Sequence, residues 1–180
     1  MTGWGDHILL VGYRGTGKSS VGRLLAEALQ MSFVDMDQVI VEEAGCTISK
    51  MVENHGWPCF RGREKKLLLR LSQGTGLVIA TGGGVVLDEE NRLLMKKMGQ
   101  VIWLKADIDT IVQRLQQDVI SAEQRPAFSE KSLRDETETV LCERTPLYDS
   151  VSDMSIETSG RNIRECVDEI MRIVHKRGGS

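Results

Sequence analysis

A wholly apolar run, Ile8 to Val11, leads straight into Gly12-Tyr13-Arg14-Gly15-Thr16-Gly17-Lys18-Ser19, and Val21, Leu24, Leu25, Ala28 and Leu29 then recur at helical spacing. A short run with no polar face reads as a strand buried on both sides, which belongs in a parallel sheet. The loop between strand and helix has the spacing GxxxxGK[ST]. Its glycines let backbone N–H groups turn inward around phosphate oxygens, and the following helix presents its positive end to the same anions. Lys18 is placed to reach the β- and γ-phosphates of a nucleotide, and the Ser19 hydroxyl to coordinate Mg²⁺. Gly15, Thr16, Gly17, Lys18, Ser19 and Ser20 are therefore the candidate nucleotide-binding residues.

The rest of the chain repeats this strand–helix alternation. Phe33 and Val34 form a second short strand that leads into Asp35. Val39 to Val52 reads as helical with a break near Gly45, and Thr47 is placed to cap its second half. His55 to Pro58 reads as a turn, and Arg61 to Ser72 as a helix. Leu77 to Ala80 is a third strand, running into Thr81-Gly82-Gly83-Gly84. A helix over Asp88 to Met98 closes at Gly99, a fourth strand spans Val101 to Leu104, and Asp109 to Gln117 is helical. Asp118 to Glu130 is polar, contains Pro126 and shows no period, so it reads as a mobile loop. Leu133 to Arg144 reads as a helix stopping before Pro146. Met154 to Ile156 is a fifth strand and Asn162 to Lys176 a final amphipathic helix. The expected architecture is three-layer α/β/α around a five-stranded, mainly parallel sheet, with residues 1–180 forming one domain. In such sheets ligands bind at the carboxyl ends of the strands, where Gly12, Asp35 and Gly82 fall.

Composition narrows the partners. With 180 residues and 41% hydrophobic content the chain can bury a core, and its net charge of −3 offers no excess of basic charge for nucleic acid or an anionic membrane. No apolar run approaches the ~20 residues of a membrane helix. The four cysteines (Cys46, Cys59, Cys142 and Cys166) form no CxxC pair and no zinc-ligand spacing, which fits reduced thiols in a cytoplasmic protein. No basic-then-apolar leader pattern is present, and nothing demands more than a monomer.

Asp35 and Asp37 follow the second strand. Two residues apart on an extended chain, both carboxylates face the same way. Beside a phosphate loop, one can hold Mg²⁺ through water and the other can accept a proton from an attacking hydroxyl. Asp35 can equally cap the helix that follows.

Four further segments complete an ordered set: Phe60-Arg61 with Glu64, Gly82-Gly83-Gly84 after a strand, Arg125-Pro126, and Glu143-Arg144-Thr145-Pro146-Leu147-Tyr148. With the phosphate loop and the acidic pair, these resemble the shikimate kinase family from Ile8 to the last helix. The resemblance implies transfer of the γ-phosphoryl group of ATP, with Mg²⁺, to the 3-hydroxyl of shikimate. It implies that Arg61 and Arg144 clamp the substrate carboxylate bidentately, that Gly82 to Gly84 approach the substrate through backbone N–H groups, and that Phe60 walls the pocket. It makes Asp37 the general base and assigns Asp35 to Mg²⁺. It places Arg125 in a lid over residues 118–130, where it stabilises charge on the transferring group, and makes residues 39–61 the substrate-binding segment. Arg161, after the fifth strand, is implied to contact adenine.

The sequence departs from the family pattern in two places. Ala127 and Phe128 follow Pro126 where leucines are usual, and Gln116, Gln117 and Asp118 occupy a stretch where an adenine-stacking arginine is common. A gluconate kinase of the same fold would share the phosphate loop and lid, but the Phe60-Arg61 and Pro146-Leu147-Tyr148 segments favour shikimate. A guanine-nucleotide switch should carry an NKxD segment, and none is present. A binding module without catalysis should have lost Lys18, Asp37 or the arginines, and all remain.

Overall fold

The computed structural model describes residues 7–117 and 132–177, with only the backbone of 175–177; the expected lid segment and Arg125 lie outside the described residues. Strands β1 (His7–Val11), β2 (Ser32–Asp35), β3 (Leu77–Ala80), β4 (Gly99–Lys105) and β5 (Met154–Glu157) alternate with helices α1 (Lys18–Leu29), α2 (Met36–Ala44), α3 (Ile48–Leu71), α4 (Glu89–Met98), α5 (Ile108–Gln117), α6 (Leu133–Val151) and α7 (Ile163–Arg177). A 3₁₀ turn at Val85–Leu87 follows β3. The strands form one sheet in the order β2-β3-β1-β4-β5, and all four pairings are parallel.

Alternation of side chains along the strands divides the core into two layers. Leu9, Val11, Ile79, Val101 and Trp103 face Phe60, Leu67 and Leu68 of α3, Met95 and Met98 of α4, and Tyr148 and Val151 of α6. Ile8, Leu10, Val78, Ile102, Leu104 and Ile156 face α1 and α7 on the opposite side. β1 is buried along its whole length at the centre of the sheet, as an uninterrupted apolar run requires. The phosphate loop therefore leaves the middle of the sheet, with β3 and β4 on its two flanks.

Three expectations need correction. The turn expected at His55–Pro58 is present as a kink at Gly56, which adopts φ 74°, ψ 167° and divides α3 into two helical halves, but the second half restarts before Arg61. Pro58 sits in the first turn after the bend, where its missing N–H has no helical partner to lose. Arg61 thus lies more than a turn inside the second half, not at a helix start. The helix expected to stop before Pro146 continues to Val151, so Arg144 is mid-helix and buried. Tertiary bonds from Arg144 and Tyr148 to one carbonyl, described below, hold the helix on the core on both sides of the proline. Third, α2 begins at Met36, so Asp35 and Asp37 are not two positions of one strand; Asp35 is the N-cap and Asp37 belongs to the first turn. The break at Gly45 and the cap at Thr47 are as expected, with Thr47 Oγ1 accepting from Lys50 N at 3.3 Å.

Candidate active site

The phosphate loop is shaped by left-handed glycines. Gly12, Gly15 and Gly17 have φ of 143°, 77° and 92°, a region that side chains disfavour. A Cβ at Gly12 would lie 2.5 Å from the Leu104 carbonyl oxygen on β4, so the loop can cross that strand only as glycine. Lys18 opens α1 and folds back over the loop, its amine donating to the Gly12 and Tyr13 carbonyls at 2.8 Å each. Thr16 Oγ1 donates to the same Tyr13 carbonyl at 2.8 Å. Ser19 is half-buried and Ser20 exposed on the first turn of α1.

A second set of bonds holds the loop from behind. Arg114 on α5 donates to Gly15 O at 3.2 Å, to Thr158 O at 2.8 Å and to Thr158 Oγ1 at 3.0 Å. The Thr158 hydroxyl proton is shared between Lys105 O at 2.9 Å and Thr16 O at 3.2 Å. Sequence reasoning missed both residues. Gln116 to Asp118 carry no cation, and the cation on this helix is Arg114, just upstream. Arg161 sits in the turn after β5. Its backbone N–H donates to Thr158 O at 3.4 Å, and its guanidinium is ion-paired with Glu169.

The two acids stand at the carboxyl end of β2. Asp35 Oδ1 accepts from the N–H groups of Asp37 and Gln38 at 3.1 and 3.3 Å, while Oδ2 accepts from the Ser19 hydroxyl at 2.5 Å. A hydroxyl and a carboxylate side by side at the helix terminus are hard oxygen donors suited to Mg²⁺, which prefers one or two protein oxygens plus water and phosphate. Among the described residues no group of three or more His, Cys, Asp or Glu side chains could hold a metal ion.

The pocket next to the loop gathers the residues expected around the acceptor. It is lined by Asp37, Ile48, Trp57, Phe60, Arg61 and Glu64 together with Tyr13, Arg14, Gly82, Gly83, Gly84 and Arg144. The Arg61 guanidinium lies 5.2 Å from the ring centres of both Trp57 and Phe60, within cation–π range. It is ion-paired with Glu64 on the next turn of α3. Burial pushes the Glu64 carboxyl up from its ordinary value, and Arg61 and, less, Arg144 pull it back down.

The glycine triplet does more than turn the chain. A Cβ on Gly84 would occupy the space of the Arg61 guanidinium, and one on Gly82 would run into Glu64 Oε1 and lie 3.0 Å from Asp37 Oδ1. Gly83 O accepts from Arg144 Nη1 at 3.1 Å and from the Tyr148 hydroxyl at 2.5 Å. Tyr148 also stacks on Trp103 with ring centres 5.7 Å apart.

A phosphate loop on the central strand of a parallel sheet, with an acidic pair at the next strand end and a guanidinium-lined pocket beside it, defines a P-loop kinase. The family model described as shikimate kinase matches residues 14–175. A shikimate kinase of Syntrophus aciditrophicus is 42% identical over 174 residues, covering 92% of this chain and 89% of that one. One of Rhodopirellula baltica is 40% identical over 167 residues, covering 93% and 89%. Among solved structures, shikimate kinase from Acinetobacter baumannii in complex with shikimate superposes with a TM-score of 0.91 at 33% identity, covering 97% of this chain and 96% of that chain. The chain belongs to the shikimate kinase family.

Proposed function

We propose that the protein transfers the γ-phosphoryl group of ATP to the 3-hydroxyl of shikimate, giving ADP and shikimate 3-phosphate. The observation that carries this reading is the convergence of Asp37, Arg61 and Arg144 around the glycine triplet, in a pocket that Tyr13 and Arg14 of the phosphate loop also line. Support comes also from the shikimate bound by the Acinetobacter baumannii relative.

The roles follow from chemistry. The loop N–H groups and Lys18 bind the phosphates, and Lys18 moves from the Gly12 and Tyr13 carbonyls to phosphate oxygens. Ser19 and, through water, Asp35 would hold Mg²⁺, which would supply charge neutralisation at the phosphates. Arg61 and Arg144 offer planar donor forks to a carboxylate. Asp37 accepts the proton of the attacking hydroxyl. Phe60 and Trp57 close the apolar side of the ring. Arg125, outside the described residues, is assigned to the lid, and Arg161 to the adenine. The same reading carries a single-domain, monomeric, cytoplasmic enzyme of aromatic amino acid biosynthesis.

The test is ADP release from Mg-ATP with shikimate, with gluconate and with neither. Release that requires shikimate and yields its phosphate is the expected result. Release driven by gluconate would keep the fold and discard the substrate, and release with neither would point to hydrolysis.

A further inference from the structure

Arg14, inside the phosphate loop, faces the acceptor pocket. Of its loop neighbours, Tyr13 also lines the pocket but packs into the apolar cluster of Ile111, Leu115 and Val140, and Thr16 bonds the Tyr13 carbonyl. Arg14 lines the same pocket as Arg61 and Arg144. Its Nη2 donates to Glu136 Oε1 at 2.5 Å and its Nε to the Tyr13 hydroxyl at 3.3 Å. Glu136 is only 4% exposed, so its charge requires a cation against it. It lies in the first turn of α6, and four-residue steps along the same face bring Val140, Arg144 and Tyr148. One helix face therefore carries both the partner of Arg14 and the cation that bonds Gly83. The Arg14 backbone also abuts the triplet: a Cβ on Gly83 would lie 3.5 Å from Arg14 N.

Formal charge gives this arrangement a consequence. Arg14, Arg61 and Arg144 stand against Asp37 and Glu64 in the pocket lining and against Glu136 beside Arg14, so the six charges cancel. Without Arg14 the group would be net negative, the wrong sign for an anionic acceptor. We propose that Arg14 is a specificity-determining residue for the acceptor: anchored by Glu136, it supplies the positive charge that lets this pocket admit an alcohol bearing a carboxylate. The inference deepens the shikimate reading and rests on it.

Kinetics of the wild type, Arg14→Met and Glu136→Gln, with shikimate and with its uncharged methyl ester, test the inference. Loss of one charge-assisted contact should cut the preference for acid over ester, as a ratio of kcat/KM, about tenfold in Arg14→Met, with KM for ATP changed less than about twofold. Glu136→Gln leaves the pocket net positive and should lower KM for shikimate by about threefold. A purely structural ion pair predicts instead that both variants raise KM for acid and ester alike as the melting temperature falls, and that result overturns the proposal. An unchanged acid-to-ester ratio in Arg14→Met overturns it too. Should Arg14→Met fail to fold, Glu136→Gln decides by the sign of its effect. A wild type that ignores shikimate but turns over another acceptor sinks the functional reading, and the role of Arg14 with it.

Discussion

The Ser19 hydroxyl and the Asp35 carboxylate share a hydrogen bond of 2.5 Å, tying the first turn of α1 to the end of β2. The other Asp35 oxygen caps α2. One side chain thus serves both a helix and the proposed Mg²⁺ site, and substitution can separate the two. Asn is as good a cap as Asp, so Asp35→Asn should leave the melting temperature unchanged and raise the Mg²⁺ needed for half-maximal turnover about tenfold. Asp35→Ala should add the loss of the cap, about 1 kcal/mol in urea unfolding. Equal Mg²⁺ requirements in wild type and Asn variant would remove Asp35 from the metal site.

Asp37 has a different task. Replacing it with Asn keeps the shape and removes the proton acceptor, so kcat should fall about 10²–10⁴-fold. Affinity for ATP, measured by titration calorimetry, should stay within about twofold, since the loss lies in the chemical step. Near-normal turnover would exclude an essential base at this position.

Arg61 and Glu64 form a pair in which only one member is fully enclosed. Arg61→Ala should raise KM for shikimate about tenfold or more by removing a bidentate donor. It should also destabilise the fold by about 2 kcal/mol, because Glu64 is left buried without its cation. Adding Glu64→Gln should recover stability but not KM. Recovery of both would mean that Arg61 serves the fold alone.

Much of this site was legible because its signals are local. Gly12 to Ser19, the apolar strands and the glycine triplet each declare themselves within a few residues. What escaped the sequence depends on contacts far along the chain. A proline predicts a helix end unless something holds both sides of it, and Arg144 and Tyr148 do so through Gly83, 61 and 65 residues away. Gly56 bends α3 at one residue where composition reads as a longer turn. Arg114 and Glu136 had no motif to mark them, since one acts on the back of the phosphate loop and the other on Arg14.

Gly84 tests the fit between triplet and clamp. Its added methyl would meet the Arg61 guanidinium, the far end of a flexible side chain, so Gly84→Ala should fold normally while displacing the cation. KM for shikimate should rise about tenfold, as when a charged donor is lost, with KM for ATP unchanged. A rise in both constants would point to a wider disturbance of the loop.

Tyr148 sets an alkaline limit. Burial pushes its phenol up from 10.0 to about 12, against a smaller opposing pull from Arg144. The folded state therefore holds this proton where the unfolded chain has released it. Between pH 10 and about 12 the unfolded state binds fewer protons, so stability falls as pH rises. The contribution is complete below the unfolded value and is gone once pH passes through the folded one. Tyr148→Phe should flatten that limb of a denaturation series while lowering stability near neutral pH by about 1 kcal/mol, for the lost bond to Gly83 O. The chain has two tyrosines, so the variant also removes one of two phenolate absorbance steps and identifies which belongs to Tyr148. Arg144 still bonds Gly83 O in the variant, so turnover at neutral pH should fall only about twofold. An alkaline limb of unchanged slope would assign that loss of stability to other groups.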